Sequence, residues 1–161
     1  MTVNEFFEST DFQVFLDETL RREAIRAAEV VLDRGKKVKR HQMHVIPSVI
    51  QAAGLDGLRK LADRQKDKNT RTENKAFWTE ISSLLSSTAT TDLSLFAFLQ
   101  SFLRERGFLD PEEETQDKVT QKQIRKRNKL ITEGLMENVI GVYFEHFNCH
   151  YYYKTSKGSE K

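Results

Sequence analysis

Residues 12–32 read FQVFLDETLRREAIRAAEVVL, and their spacing decides the fold class. Phe12, Phe15, Leu16, Leu20, Ala24, Ala27, Ala28, Val31 and Leu32 recur at steps of three and four, the signature of one buried stripe on a long amphipathic helix. Gly35 supplies the stop, because glycine tolerates the left-handed conformation past a helix end. Working outward, Val45, Ile46, Val49, Ile50 and Ala53 form a second helix ending near Gly54, with Pro47 either at its first turn or at a kink. Leu55, Leu58, Leu61 and Ala62 continue as a third, fading into the polar stretch Asp63–Asn74. Phe77, Trp78, Ile81, Leu84 and Leu85 make a fourth, stopped by the Ser86–Thr91 run. Asp92 is a fitting N-cap for a fifth, with Leu95, Phe96, Leu99, Phe102 and Leu103 inward and Gly107 at its end.

The clearest start signal is Asp110-Pro111 followed by Glu112–Glu114, a cap, a first-position proline and acids at the positive end of a helix dipole. A break over Gln116–Lys129, almost entirely polar, is expected to follow. Leu130, Ile131, Leu135, Val139, Val142, Tyr143 and Phe147 then resume a helical stripe, expected to bury against the Phe96–Leu103 helix. No run alternates as strands do. The expectation is an all-α, single-domain helical bundle of about five to seven helices over residues 1–154, with 155–161 a disordered polar tail frayed from Lys154.

Composition agrees with this class. The chain has 161 residues, 31% of them charged, with 7 glycines and 2 prolines. It is long enough to build a core without disulfide or metal. Its one cysteine, Cys149, excludes an internal disulfide and suits a reducing cytosol. No apolar run approaches the length of a bilayer span, and Met1–Asp11 is too acidic for a signal peptide. A soluble, cytoplasmic protein with no membrane contact is expected.

The formal net charge of +2 hides a strong alternation. Residues 1–33 carry 3 basic and 8 acidic side chains, residues 34–75 carry 12 and 4, residues 76–117 carry 2 and 8, and residues 118–161 carry 9 and 4. Such blocks matter more than the total, because fields depend on where charge sits. Three basic clusters stand out. Arg34, Lys36, Lys37, Lys39 and Arg40 follow the first helix; Arg59, Lys60, Arg64, Lys66 and Lys68 lie on and beyond the third; Lys122, Arg125, Lys126, Arg127 and Lys129 form the last. Lys122, Arg125, Lys126 and Lys129 fall on one helical face, a stripe suited to tracking phosphates by counterion release. The first and last runs lack interspersed acids, which favours polyanion contact over a solvated, locally paired face. They also lack interleaved aromatics, which favours backbone contact over base stacking.

Catalytic patterns are sparse. There is no glycine-rich phosphate loop and no Gly-x-Ser-x-Gly elbow. His41 and His44, with His146, Cys149 and His150, have helical spacings that could present zinc ligands. Neither spacing is that of a standard finger, and packing accounts for them as well. Cys149 with His146 could pair as nucleophile and base. The expectation is no catalytic residue, no cofactor and no metal.

The stretch Ile46-Pro47-Ser48-Val49-Ile50-Gln51-Ala52-Ala53-Gly54-Leu55, preceded by a basic run and followed by Leu58, Leu61 and a hydrophilic connection to Phe77-Trp78, resembles the small helical belly subunits of CRISPR effector complexes. The likeness is to the type III-B small subunit, or a type I counterpart, over residues 34–78. It implies an all-α, non-enzymatic subunit of an antiviral ribonucleoprotein. Several stacked copies would sit beside the other subunits of a crRNA-guided complex and contact a single strand or the guide–target duplex backbone. The expected contacts are Arg34, Lys36, Lys37, Lys39, Arg40, Arg59, Lys60, Arg64, Lys122, Arg125, Lys126 and Lys129. The alternatives are a helical protein–protein adaptor without nucleic acid and, third, a metal-dependent helical enzyme built on the histidine and cysteine clusters.

Overall fold

The N-terminal stripe folds as a helix, but in pieces. In the computed structural model, α1 (Val3–Phe7) opens on a Thr2 capping box, in which Thr2 and Glu5 satisfy each other's backbone N–H groups. After a Ser9 cap, α2 (Thr10–Val14) runs into a π-helical segment over Phe15–Leu20 and then α3 (Arg21–Arg34). The π segment slips the register by a fraction of a turn. Phe15, Leu16 and Leu20 thereby stay inward together with Ala24, Ala27, Ala28 and Val31. The described residues are 2–34, 38, 40–68, 71–88 and 91–159, with the side chains of 40, 41 and 156–159 outside the description. The expected stop at Gly35 lies outside them.

Helix α4 (Arg40–Lys68) contains the expected break: Gly54 has φ 67 and ψ −159, dividing it into two helices. Pro47 lies well inside the first half rather than at its first turn. The second half does not fade at Asp63 but holds its helix to Lys68. It runs antiparallel to α5 (Thr72–Leu85), since Arg59 donates to the Leu85 carbonyl and Asp63 accepts from Ser82. Trp78 is fully buried, and its indole N–H donates to Gln42 at 2.9 Å. The cap of α6 (Leu95–Glu105) is Ser94, not Asp92: the Ser94 hydroxyl accepts from the Ala97 N–H, while the Asp92 carboxylate is taken up by Arg34.

The largest departure concerns the segment after α6. Asp110-Pro111 starts no helix; residues 108–117 are irregular, and α7 (Lys118–Ser159) begins only after Asp117, whose carboxylate accepts from the Thr120 N–H. The polar stretch expected as a break is continuous helix, and the helix extends past Lys154 to Ser159. Two tertiary anchors explain why a polar stretch can stay helical here. Asn128 is buried and clamps the backbone of Asp110, accepting from its N–H at 3.0 Å and donating to its carbonyl at 2.9 Å. Ile124 packs inward on the same side. The acidic segment thus serves as a strap under the first turns of α7 instead of as a helix start.

Helix α7 is the axis of the bundle and packs against α3, α4, α6 and the π segment. Leu135, Met136, Val139, Ile140, Tyr143, Phe144, Phe147 and Tyr151 are buried along it. Leu130, expected inward, is 65% exposed. Its position, about 100° per residue along the helix, falls opposite Asn128 and Ile124. The buried residues form one core cluster, in which Phe6, Phe15 and Phe102 join the N-terminal helices to α6. The protein is an all-α helical bundle. Among the described residues, no helix is long and apolar enough to cross a membrane.

Candidate nucleic-acid interface

The basic side chains separate into two populations, and helix geometry dictates which is which. Arg59 faces inward from the second half of α4 and is less than one-third exposed. Its guanidinium forms two parallel bonds to the Glu133 carboxylate, at 2.9 and 3.0 Å, and its Nε–H donates to the Leu85 carbonyl at 2.9 Å. This bidentate fork ties α4, α5 and α7 together. Arg34 is held by Asp92 and Glu80, and its charged form is stabilised first by the Asp92 hydrogen bond. Reciprocally, Arg34 holds the Asp92 carboxyl below its ordinary range. Lys60 pairs with Asp56 one turn back at 3.0 Å, an exposed pair.

The strap removes another cation. Arg125 pairs with Glu112 at 3.0 Å, and Arg127 with Asp110 at 2.7 Å. The sequence shows no acids among these arginines; the structure supplies them from residues 110–112, on the other side of the helix start. Sequence spacing is blind to carboxylates brought in by a folded-back segment, and on spacing alone Arg125 falls with the lysines.

What remains is a lysine stripe. Lys122, Lys126 and Lys129 are exposed and make no ion pair among the described residues. With Val119 (67% exposed) and Leu130 they share the outward side of α7, away from the strap. Arg64 on α4 is likewise exposed and unpaired among the described residues. Lys36, Lys37, Lys39 and the Arg40 side chain lie outside the described residues. Val38, in the middle of that run, is buried, and its N–H donates to the Tyr151 hydroxyl at 3.3 Å. From Lys126 to Tyr151 the helix rises about 37 Å, so Val38 and the lysine stripe lie near opposite ends of α7.

The histidines divide similarly. His146 donates from Nε2 to the Leu16 carbonyl at 3.2 Å, a carbonyl of the π segment, where the regular i→i−4 ladder is interrupted. His150 donates from Nε2 to Glu29 at 3.1 Å. His44 packs its ring against Tyr152, and the His41 side chain lies outside the description. Among the described residues, no group of three His, Cys, Asp or Glu side chains is placed to hold a metal ion. Sequence reasoning passed over Asp17, Arg21 and Tyr153. With Ile25, His146, Cys149 and His150 they line a cleft of about 490 Å³ between the N-terminal helices and the end of α7. The signals for it in the sequence are the His146, Cys149, His150 spacing and the tyrosine run 151–153. A second cleft, about 340 Å³, lies beside Arg59, Asp63, Lys66 and Ser82.

Comparison with family models, with curated proteins and with solved structures finds no match for this chain.

Proposed function

We propose that this protein is a non-catalytic helical subunit that binds the phosphate backbone of nucleic acid. The observation that carries the reading is the stripe Lys122–Lys126–Lys129: three cations on one side of a firmly anchored helix, with no carboxylate on any of them. Side chains so arranged neutralise phosphates without reading sequence, and affinity then depends on salt. Arg59 and Arg125 drop out of the contact set and become structural, because their charge is already satisfied within the fold. Arg34 and Lys60 are also paired, and Arg64 stays a contact candidate.

The finer reading, a belly subunit of a CRISPR effector complex, rests on the resemblance at Ile46–Leu55. The all-α fold is of the class that resemblance implies. The Gly54-Leu55 pair within it also has a local reason in this chain, the break in α4. Copurification with a guide RNA and with further subunits tests this finer reading directly.

A second reading, a protein–protein adaptor, is favoured by one specific observation. Val119 and Leu130 flank the lysines on the same outward face, and large exposed apolar side chains suit a protein partner better than phosphates. Salt-dependent binding to single-stranded RNA or DNA, compared between the wild type and a Lys122→Ala, Lys126→Ala, Lys129→Ala variant, separates the two.

A further inference from the structure

The acidic strap that precedes α7 is pinned to it twice through its own backbone. Asn128 exchanges two bonds with the Asp110 backbone, at 3.0 and 2.9 Å, and the Gln121 amide donates to the Glu113 carbonyl at 2.8 Å. Gln116 closes the turn by accepting from the Glu113 N–H at 3.1 Å. Glu112 lies between these anchors, and its carboxylate accepts from the Arg125 Nε–H at 3.0 Å. Both side chains are open to solvent, Arg125 at 65% and Glu112 at 37% exposure, so burial does not enforce their contact. The backbone bonds hold the strap whether or not that carboxylate stays on its arginine.

Arg125 comes three residues after Lys122 and four before Lys129, about 60° and 40° from them around the helix. It forms the edge of the lysine stripe, on the flank between the lysines and Asn128. We propose that the strap is an autoinhibitory element: Glu112 withholds Arg125 from the phosphates of a strand, and its release widens the anion-binding face of α7 from three cations to four. This deepens the nucleic-acid reading above and rests on it. A phosphate approaching Arg125 meets the Glu112 carboxylate as well as the guanidinium, and the like charges repel. Glu113 and Glu114 are exposed and make no ion pair among the described residues. Of the three consecutive glutamates, Glu112 is the one matched to a cation of the stripe. Opening requires only that its side chain turn away, because Asp110 and Glu113 keep the strap in place.

The test is fluorescence anisotropy of the full chain with a labelled single-stranded oligonucleotide, repeated across salt concentrations. Glu112→Ala is expected to tighten binding about three-fold or more at low salt. It also steepens the slope of log affinity against log salt by about 0.7, the share of one added phosphate contact. Glu114→Ala removes the same charge from the same strap without freeing a cation, and is expected to keep the wild-type slope. Arg125→Ala alone is expected to keep that slope too, and to cancel the gain when combined with Glu112→Ala. All three residues are exposed, and circular-dichroism melts check that the variants fold as the wild type does. An unchanged slope in Glu112→Ala, an equal steepening in Glu114→Ala, a flattening in Arg125→Ala alone, or a gain kept in the double variant overturns the strap's role. The backbone reading still stands in those cases if the Lys122→Ala, Lys126→Ala, Lys129→Ala variant loses affinity. If that triple variant keeps wild-type binding and salt dependence, or if the wild type binds no strand, the backbone reading fails and takes the autoinhibition with it.

Discussion

The Glu137 carboxylate of α7 lies directly against the backbone of Gly54, where it accepts from the Leu55 N–H at 3.2 Å. A carboxylate from one helix thereby caps the restarted half of another, in the place an N-cap side chain would take. The left-handed φ at Gly54 turns the chain, and the missing Cβ leaves room for the carboxylate. The two requirements coincide at one residue.

Gly54→Ala is therefore expected to destabilise by about 2 kcal/mol or more, the left-handed conformation alone accounting for about 1–2. Gly134→Ala is the control. Gly134 lies in helical α7 with nothing near its Cβ position, and alanine there is expected to stabilise by about 0.5–1 kcal/mol. Urea denaturation of the two variants checks both signs.

Arg59→Ala removes both bonds to Glu133 and the bond to the Leu85 carbonyl together. A loss of about 2–3 kcal/mol is expected, since a half-buried carboxylate is left without its partner. A double-mutant cycle with Glu133→Gln measures the pair alone, and a coupling energy near zero contradicts the structural role assigned to Arg59.

Tyr143 and Phe147 are fully buried on α7, so Tyr143→Ala or Phe147→Ala is expected to cost about 3–5 kcal/mol. Tyr143→Phe behaves differently. The Tyr143 hydroxyl has no hydrogen-bond partner among the described residues, so its removal is expected to be neutral or stabilising. Burial pushes the Tyr143 phenol well above its ordinary pKa, and burial also raises that of Tyr151. A raised phenol is favoured in its protonated form by the fold. Its contribution is complete below the unfolded pKa of about 10 and is lost as pH rises beyond it. Melting temperature is expected to fall in that alkaline window, and to fall less steeply in Tyr143→Phe.

Legibility from sequence followed the range of the forces involved. The stripes from Phe12 to Leu32, Phe77 to Leu85 and Leu95 to Leu103 gave their helices because burial imposes a helical period. Gly54 was readable as a break because glycine marks it. The Asp110-Pro111 start misled because its local signals were real but weaker than the Asn128 clamp, 18 residues away, which holds that backbone irregular. The same segment carries the acids that satisfy Arg125 and Arg127. Clustered cations were visible in the sequence; their pairing was tertiary. Leu130 looked like core because it follows an apolar rhythm, yet the rhythm's inward phase is set by Ile124, Asn128, Thr132 and Leu135.

The measurement that bears most directly on the proposed role is the slope of log affinity for single-stranded nucleic acid against log salt. Each single-strand phosphate contact contributes about 0.7 to that slope. Replacing Lys122, Lys126 and Lys129 together by Ala is expected to flatten it by up to about 2, equally for all sequences, with the melting temperature unchanged. A triple variant that melts as the wild type does and binds with an unaltered slope contradicts the phosphate-binding role of the stripe.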